Sequence, residues 1–202
     1  RNITGGKGEW GMMKLARCLA GVVILALVLS PAAFGQGRTG TLHMIGVPID
    51  VQAGTYDAGT GVFTADVRSI PEAVIQVVFD DMRIEGKQLE WRTKDEHLTF
   101  TKAVSLWRED LELQSDFLEY DSGAKLMTAK GNVKVTTEDA TVYASQMVYN
   151  EDTDEALFTE NVVVEFADGS VSGERFLLRV EQKIMQFFGP FQGSFQSSTE
   201  EQ

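Results

Sequence analysis

The sequence predicts an all-β protein, an open antiparallel sheet built from 29-residue hairpin repeats, and three observations carry that prediction. Segments return at an offset of 29, with Leu89-Glu90-Trp91 reappearing as Leu118-Glu119-Tyr120 and Ala103-Val104 as Asn132-Val133 and Asn161-Val162. Within each repeat apolar and polar residues alternate with period two, and no long stretch keeps a 3.6-residue period. Turn-forming residues fall in fixed columns of the repeat.

The apolar columns define the strands. Laid on itself at 29, the chain aligns Ile75, Val104, Val133 and Val162, then Val77, Leu106, Val135 and Val164. Further columns are Ile84, Leu113, Val142 and Val171; Leu89, Leu118, Met147 and Phe176; Trp91, Tyr120, Tyr149 and Leu178; and Phe100, Ala129, Phe158 and Phe187. Columns beside these are polar or mixed, such as Glu85, Glu112, Thr141 and Ser172. One strand face is therefore buried and the other wet, which suits an antiparallel sheet rather than a parallel one.

Turns and corners repeat too. Asp81, Asp110, Asp139 and Asp168 share a column, where an Asp side chain is expected to bond its own backbone two residues on. A second turn column reads Arg92-Thr93-Lys94, Asp121-Ser122-Gly123 and Asn150-Glu151-Asp152. Between the two, Gly86, Ser115, Ala144 and Gly173 are all small, and inward parity slips by one after them, predicting a bulge or corner where the sheet bends. Tyr56-Asp57-Ala58-Gly59 and Phe63-Thr64-Ala65 continue the pattern upstream at an offset of 35, the excess forming a loop around Arg68 to Glu72. Terminal repeats are expected to be atypical.

The ends divide the chain. Residues 1–11 look like upstream read-through, since Lys7-Gly8-Glu9 must be encoded by a purine run ahead of Met12 and Met13. Residues 12–35 form a signal peptide: Lys14 and Arg17, an apolar run from Leu19 to Leu29, then small residues at Ala33 and Gly35 for cleavage. The folded domain spans 36–195 and a polar tail 196–202. Cys18 lies in the signal region, so the mature domain is expected to hold its core without disulfides. Losing residues 1–35 removes Arg1, Lys7, Lys14, Arg17 and Glu9, leaving 14 basic and 29 acidic side chains and a net charge of −15. Such a chain repels nucleic acid.

Sites for chemistry are lacking. His97 sits in the turn-like Lys94-Asp95-Glu96-His97, with no cysteine or paired histidine for a metal. Glu151-Asp152-Thr153-Asp154-Glu155 lacks the glycine and spacing of a calcium loop and reads as a charged hairpin. No phosphate-cradling glycine loop or nucleophile elbow occurs. No enzyme activity, cofactor or metal is expected.

The run Ala124-Lys125-Leu126-Met127-Thr128-Ala129-Lys130-Gly131-Asn132-Val133, followed by Thr141 to Tyr149, resembles the OstA-like repeat of the LptA family. So does the next cycle, Ala156-Leu157-Phe158-Thr159-Glu160-Asn161-Val162, then Gly169 to Glu174 and Gln182 to Gln186, with Glu160 where the family usually has Gly. The resemblance covers roughly Tyr56 to Phe195. It implies a twisted, open antiparallel β-jellyroll whose inner face holds acyl chains of lipopolysaccharide or a related glycolipid. It also implies a periplasmic bridge between LptC-like inner-membrane and LptD-like outer-membrane proteins. The inward columns, apart from Ala129, Val142, Val164, Val171 and Leu178, are then the candidate lipid contacts. A membrane-anchored LptC-type component and a small outer-membrane β-barrel are the alternatives. Against the barrel, Glu109-Asp110 and Glu138-Asp139 interrupt the alternation before a membrane-spanning length.

The sheet ends carry a last expectation. The region Phe187 to Phe195 is aromatic and has no Lys or Arg, and Leu42 to Val51 is similarly apolar, so these edges should pair head to tail between copies or with like-folded partners.

Overall fold

The computed structural model describes residues 40–79, 81–109 and 111–196. The expectations for residues 1–35, for Asp110 and for all of the tail beyond Gln196 fall outside these. Thirteen strands form one antiparallel sheet: β1 (Thr41–Ile45), β2 (Gly54–Asp57), β3 (Val62–Asp66), β4 (Val74–Val78), β5 (Arg83–Gly86), β6 (Gln88–Arg92), β7 (His97–Arg108), β8 (Leu111–Asp121), β9 (Leu126–Thr136), β10 (Thr141–Asn150), β11 (Glu155–Phe166), β12 (Gly169–Arg179) and β13 (Ile184–Phe195).

From β7 onward each strand is 10 to 12 residues long and bent in its middle. Pairing skips there, between Thr101 and Val104, Gln114 and Phe117, Ala144 and Gln146, Thr159 and Val162, and Gly173 and Arg175. The skips align along one spine that divides the sheet into two limbs. The first limb holds β1, β4, β5 and the halves of later strands that pair with them. The second holds β2, β3, β6 and the other halves. The N-terminal strands are the same bent strands cut at the spine: Lys87 alone separates β5 from β6, and residues 67–73 separate β3 from β4. The ammonium of Lys87 fastens that second interruption by donating to the carbonyls of Pro71 (2.7 Å) and Ala73 (2.6 Å).

The corner has a local cause that the small column only half discloses. On alternate strands two consecutive residues adopt left-handed φ: Lys102 and Ala103 (67° and 49°), Gly131 and Asn132 (74° and 48°), Glu160 and Asn161 (66° and 56°). These pairs turn the strand through the spine, and Gly and Asn are the residues that adopt this conformation most readily. Asn132 Nδ2 donates to Asp116 Oδ2 at 2.7 Å and Asn161 Nδ2 to Ser145 Oγ at 3.2 Å, tying each corner to the neighbouring strand. Opposite them the small column leaves room; a Cβ on Gly86 would stand 2.7 Å from the Phe100 ring.

Among the described residues both ends of the sheet are open. β13 pairs only with β12, β1 only with β4 and β2 only with β3. The first strand is shorter than Leu42 to Val51: it stops at Ile45, because Gly46 turns at φ 74° and Val51 N bonds Pro48 O in the following turn. The strands from β7 onward reach a membrane-spanning length, contrary to the expectation from Glu109-Asp110 and Glu138-Asp139, so strand length does not argue against a barrel. The open sheet with its apolar side inward does, since a membrane barrel closes on itself and turns its apolar face outward.

Candidate functional site

The inward residues of the two limbs face one another and form the core. Ile75, Val77, Ile84, Leu89, Trp91, Phe100, Val104, Leu106, Leu113, Leu118, Tyr120, Val133, Val135, Met147, Phe158, Val162 and Phe176 are all buried, so parity read from the repeat places them as expected. Tyr149 and Phe187 are half-buried. Through most of the molecule this interior is filled by its own side chains rather than left as a groove. The inward residues of both limbs belong to one buried cluster, which a single strand's alternation does not reveal.

The filling stops toward β13. Phe158, Phe176, Phe187 and Phe191 stack in succession with ring centroids 5.6, 5.0 and 5.6 Å apart, running from the core to the sheet edge. Phe191 and Phe195 point inward by register, opposite Gly173 and Gly169, yet both are 60% exposed. A shallow depression of about 510 Å³ adjoins Phe191, lined by Val162, Val163 and Pro190 together with the polar Asn161, Ser172, Glu174 and Gln192. Exposed large apolar residues gather at the other end too, at Ile45, Ile49, Val51 and Tyr56.

Away from the spine the limb tips meet and close the interior along a rim. Phe79, at a first-limb tip, packs edge-on against Tyr120 of the second limb, centroids 5.9 Å apart. One repeat later the same columns carry Arg108 and Tyr149. Arg108 Nη1 donates to Tyr149 Oη at 3.2 Å, its Nε lies 3.1 Å from Asp81 Oδ2, and Tyr149 Oη donates to Asp154 Oδ1 at 3.0 Å. Burial pushes the Tyr149 phenol above its ordinary pKa, so it stays a neutral donor. Further along, Lys183 of the second limb lies 3.1 Å from Asp139 Oδ2 and 3.3 Å from Glu138 Oε2 of the first, and those bonds raise the ammonium's pKa.

Two members of the Asp column, Asp81 and Asp139, have a further role that their turn position did not suggest. Bonds from an Asp or Asn side chain to backbone two residues on occur in the other turn column, from Gly59 N to Asp57 Oδ1 (2.8 Å) and Asp152 N to Asn150 Oδ1 (2.9 Å). Asp81 and Asp139 instead hold the cations that span the rim. His97 is likewise no solvated turn residue: it begins β7, accepting from Arg92 Nη2 at 2.9 Å and donating through Nε2 to Glu119 Oε1 at 2.6 Å. In the acidic hairpin, Asp152 and Glu155 are taken up by Lys125 and Arg179.

A family model described as "LptA/(LptD N-terminal domain) LPS transport protein" matches residues 83–184, just over half of the chain. The match begins at β5 and so takes in the last interrupted pair, β5 and β6, together with the regular bent strands from β7 onward. Among curated proteins no match is found. Among solved structures, similarity extends to the crystal structure of LptH, the LptA homologous periplasmic component of the conserved lipopolysaccharide transport device from Pseudomonas aeruginosa. That comparison has a TM-score of 0.51 and 13% identity, covering 57% of this chain and 95% of that one. At such identity the likeness is one of fold.

Proposed function

The chain belongs to the family of LPS transport proteins that includes LptA and the N-terminal domain of LptD, and from that premise we propose that it is a periplasmic carrier. It shelters the acyl chains of lipopolysaccharide or a related glycolipid between its limbs and passes them along a bridge from inner to outer membrane. The observation that carries this reading is the continuous inward apolar face, which runs from the core to β13 and emerges there as exposed Phe191 and Phe195 on an unpaired edge without a Lys or Arg. An apolar surface that a soluble protein leaves uncovered marks a binding surface. An unpaired strand with free backbone groups is the means by which a like-folded neighbour extends the sheet and, with it, the apolar interior. LptC-like and LptD-like proteins and further copies of this chain are the neighbours the reading requires.

The test is a photo-reactive phenylalanine analogue at Phe158 and at Phe191, irradiated in cells, with the adducts identified by mass. Lipopolysaccharide adducts at both positions, and none at outward Tyr143, are expected. Correctly folded protein that gives no lipid adduct at either inward position would end the carrier reading.

A further inference from the structure

The rim raises a problem that the proposed function must meet. Lipid acyl chains belong between the limbs, but the candidate contacts there are buried and already in contact with one another. The limbs must part before a chain can enter. Along the spine they cannot part, because the backbone runs through it from β7 to β13. Along the rim nothing covalent joins them.

Charge sharpens the point. Carboxylates stand on both rows of tips, Glu138 and Asp139 on the first limb and Glu151 and Asp154 on the second, and these repel each other across the rim, whereas Asp152 is paired with Lys125. Among the described residues two cations cross the gap against that repulsion. Arg108 joins Asp81 on its own limb to Tyr149 on the other, and Lys183 joins its limb to Glu138 and Asp139. Both are partly exposed, with 37% of the Arg108 side chain and 60% of the Lys183 side chain accessible, so water and salt reach them. Bonds of that kind are weak singly and reversible, which suits a closure that must open. One repeat upstream the rim contact is Phe79 on Tyr120, whose Oη also donates to Glu151 Oε1 at 3.3 Å.

We propose that Arg108 and Lys183 are the clasps of a lateral gate: the limbs part at these two bridges to admit acyl chains sideways, then close over them. The proposal rests on the carrier reading and specifies how its site is regulated. Loading is limited by the fraction of molecules with the rim open, and undoing both clasps raises that fraction by about ten-fold.

Residues 36–202 contain no cysteine, so a pair can be introduced cleanly. Asp139→Cys with Lys183→Cys removes one clasp, and a bis-maleimide then locks the same two positions together. With a fluorophore-labelled lipopolysaccharide as probe, the unbridged pair should load several-fold faster than the parent protein and the bridged pair about ten-fold slower. Capping each cysteine with a monofunctional maleimide controls for modification and should leave loading fast. Tyr149→Phe, which keeps the ring but removes the hydroxyl that Arg108 reaches, should also load faster without loss of fold. If the bridged protein loads as fast as the unbridged one, lipid enters by the exposed β13 end and the gate is refuted while the carrier stands. If neither the parent protein nor a variant combining Tyr149→Phe with the unbridged Asp139→Cys and Lys183→Cys pair takes up lipopolysaccharide, the carrier reading fails as well.

Discussion

The corner column makes a prediction in which one register position gives opposite signs in successive repeats. Gly131 and Glu160 are equivalent, and both have left-handed backbone, φ 74° and 66°. For an L-residue that conformation costs roughly 1–2 kcal/mol, whereas glycine adopts it freely and instead loses about 0.5–1 kcal/mol through its looser unfolded chain. Glu160 is exposed, so Glu160→Gly removes the strain and should stabilise by a net ~0.5–1 kcal/mol. Gly131→Ala reverses that balance and adds a steric effect. Its Cβ would stand 2.7 Å from Asp116 Oδ2, pushing away the acceptor that Asn132 Nδ2 bonds at 2.7 Å. Losing that exposed bond brings the total to about 1.5–2 kcal/mol of destabilisation. Urea unfolding followed by circular dichroism measures both variants, with an unchanged m-value showing that the unfolding reaction is the same. Glu160→Ala keeps the strain and should stay near the parent. The reasoning fails if Glu160→Gly destabilises, or if Gly131→Ala is neutral.

Three further outcomes are expected. Leu106→Asp or Val135→Asp forces an unpaired charge into the buried interior and should abolish folding, whereas Ser105→Asp or Lys134→Asp one residue away should be tolerated; soluble yield and circular dichroism decide, and equal damage at both parities would contradict the register. Pro in place of Gln192, or deletion of 189–202, should abolish concentration-dependent oligomers in sedimentation while leaving the central repeats folded, and an intact protein that stays monomeric and captures no like-folded partner would remove the bridge. Finally, the Lys183 pKa is raised by Asp139 and Glu138, so that clasp is fully present below the ordinary value of 10.5 and is lost as pH rises through the raised one. Lipid loading should therefore vary little between about pH 6 and 9 yet quicken with added salt, and a steep pH dependence in that window would show that some other group controls the rim.

The sequence by itself determined the strands, their buried faces and the position of the corner, because each of these is set within one repeat. Alternation decides which side of a strand meets water, and a column of small residues records where backbone and rings come close, as Gly86 and Phe100 do. Four repeats in register make such signals visible without an alignment. What only the tertiary structure decided was how one limb meets the other. Arg108 and Tyr149 lie 41 residues apart on strands that are not hydrogen-bonded to each other, and their contact depends on how far the bent sheet twists and closes. That angle accumulates over many strands and leaves no periodic trace in the chain. The Asp column was legible as a row of turns, but the same carboxylates serve equally well to bond backbone or to hold a cation, and which partner is within reach is a matter of that closure. The filled interior has the same origin, since parity says that Phe158 and Phe176 face inward but not how much space is waiting for them.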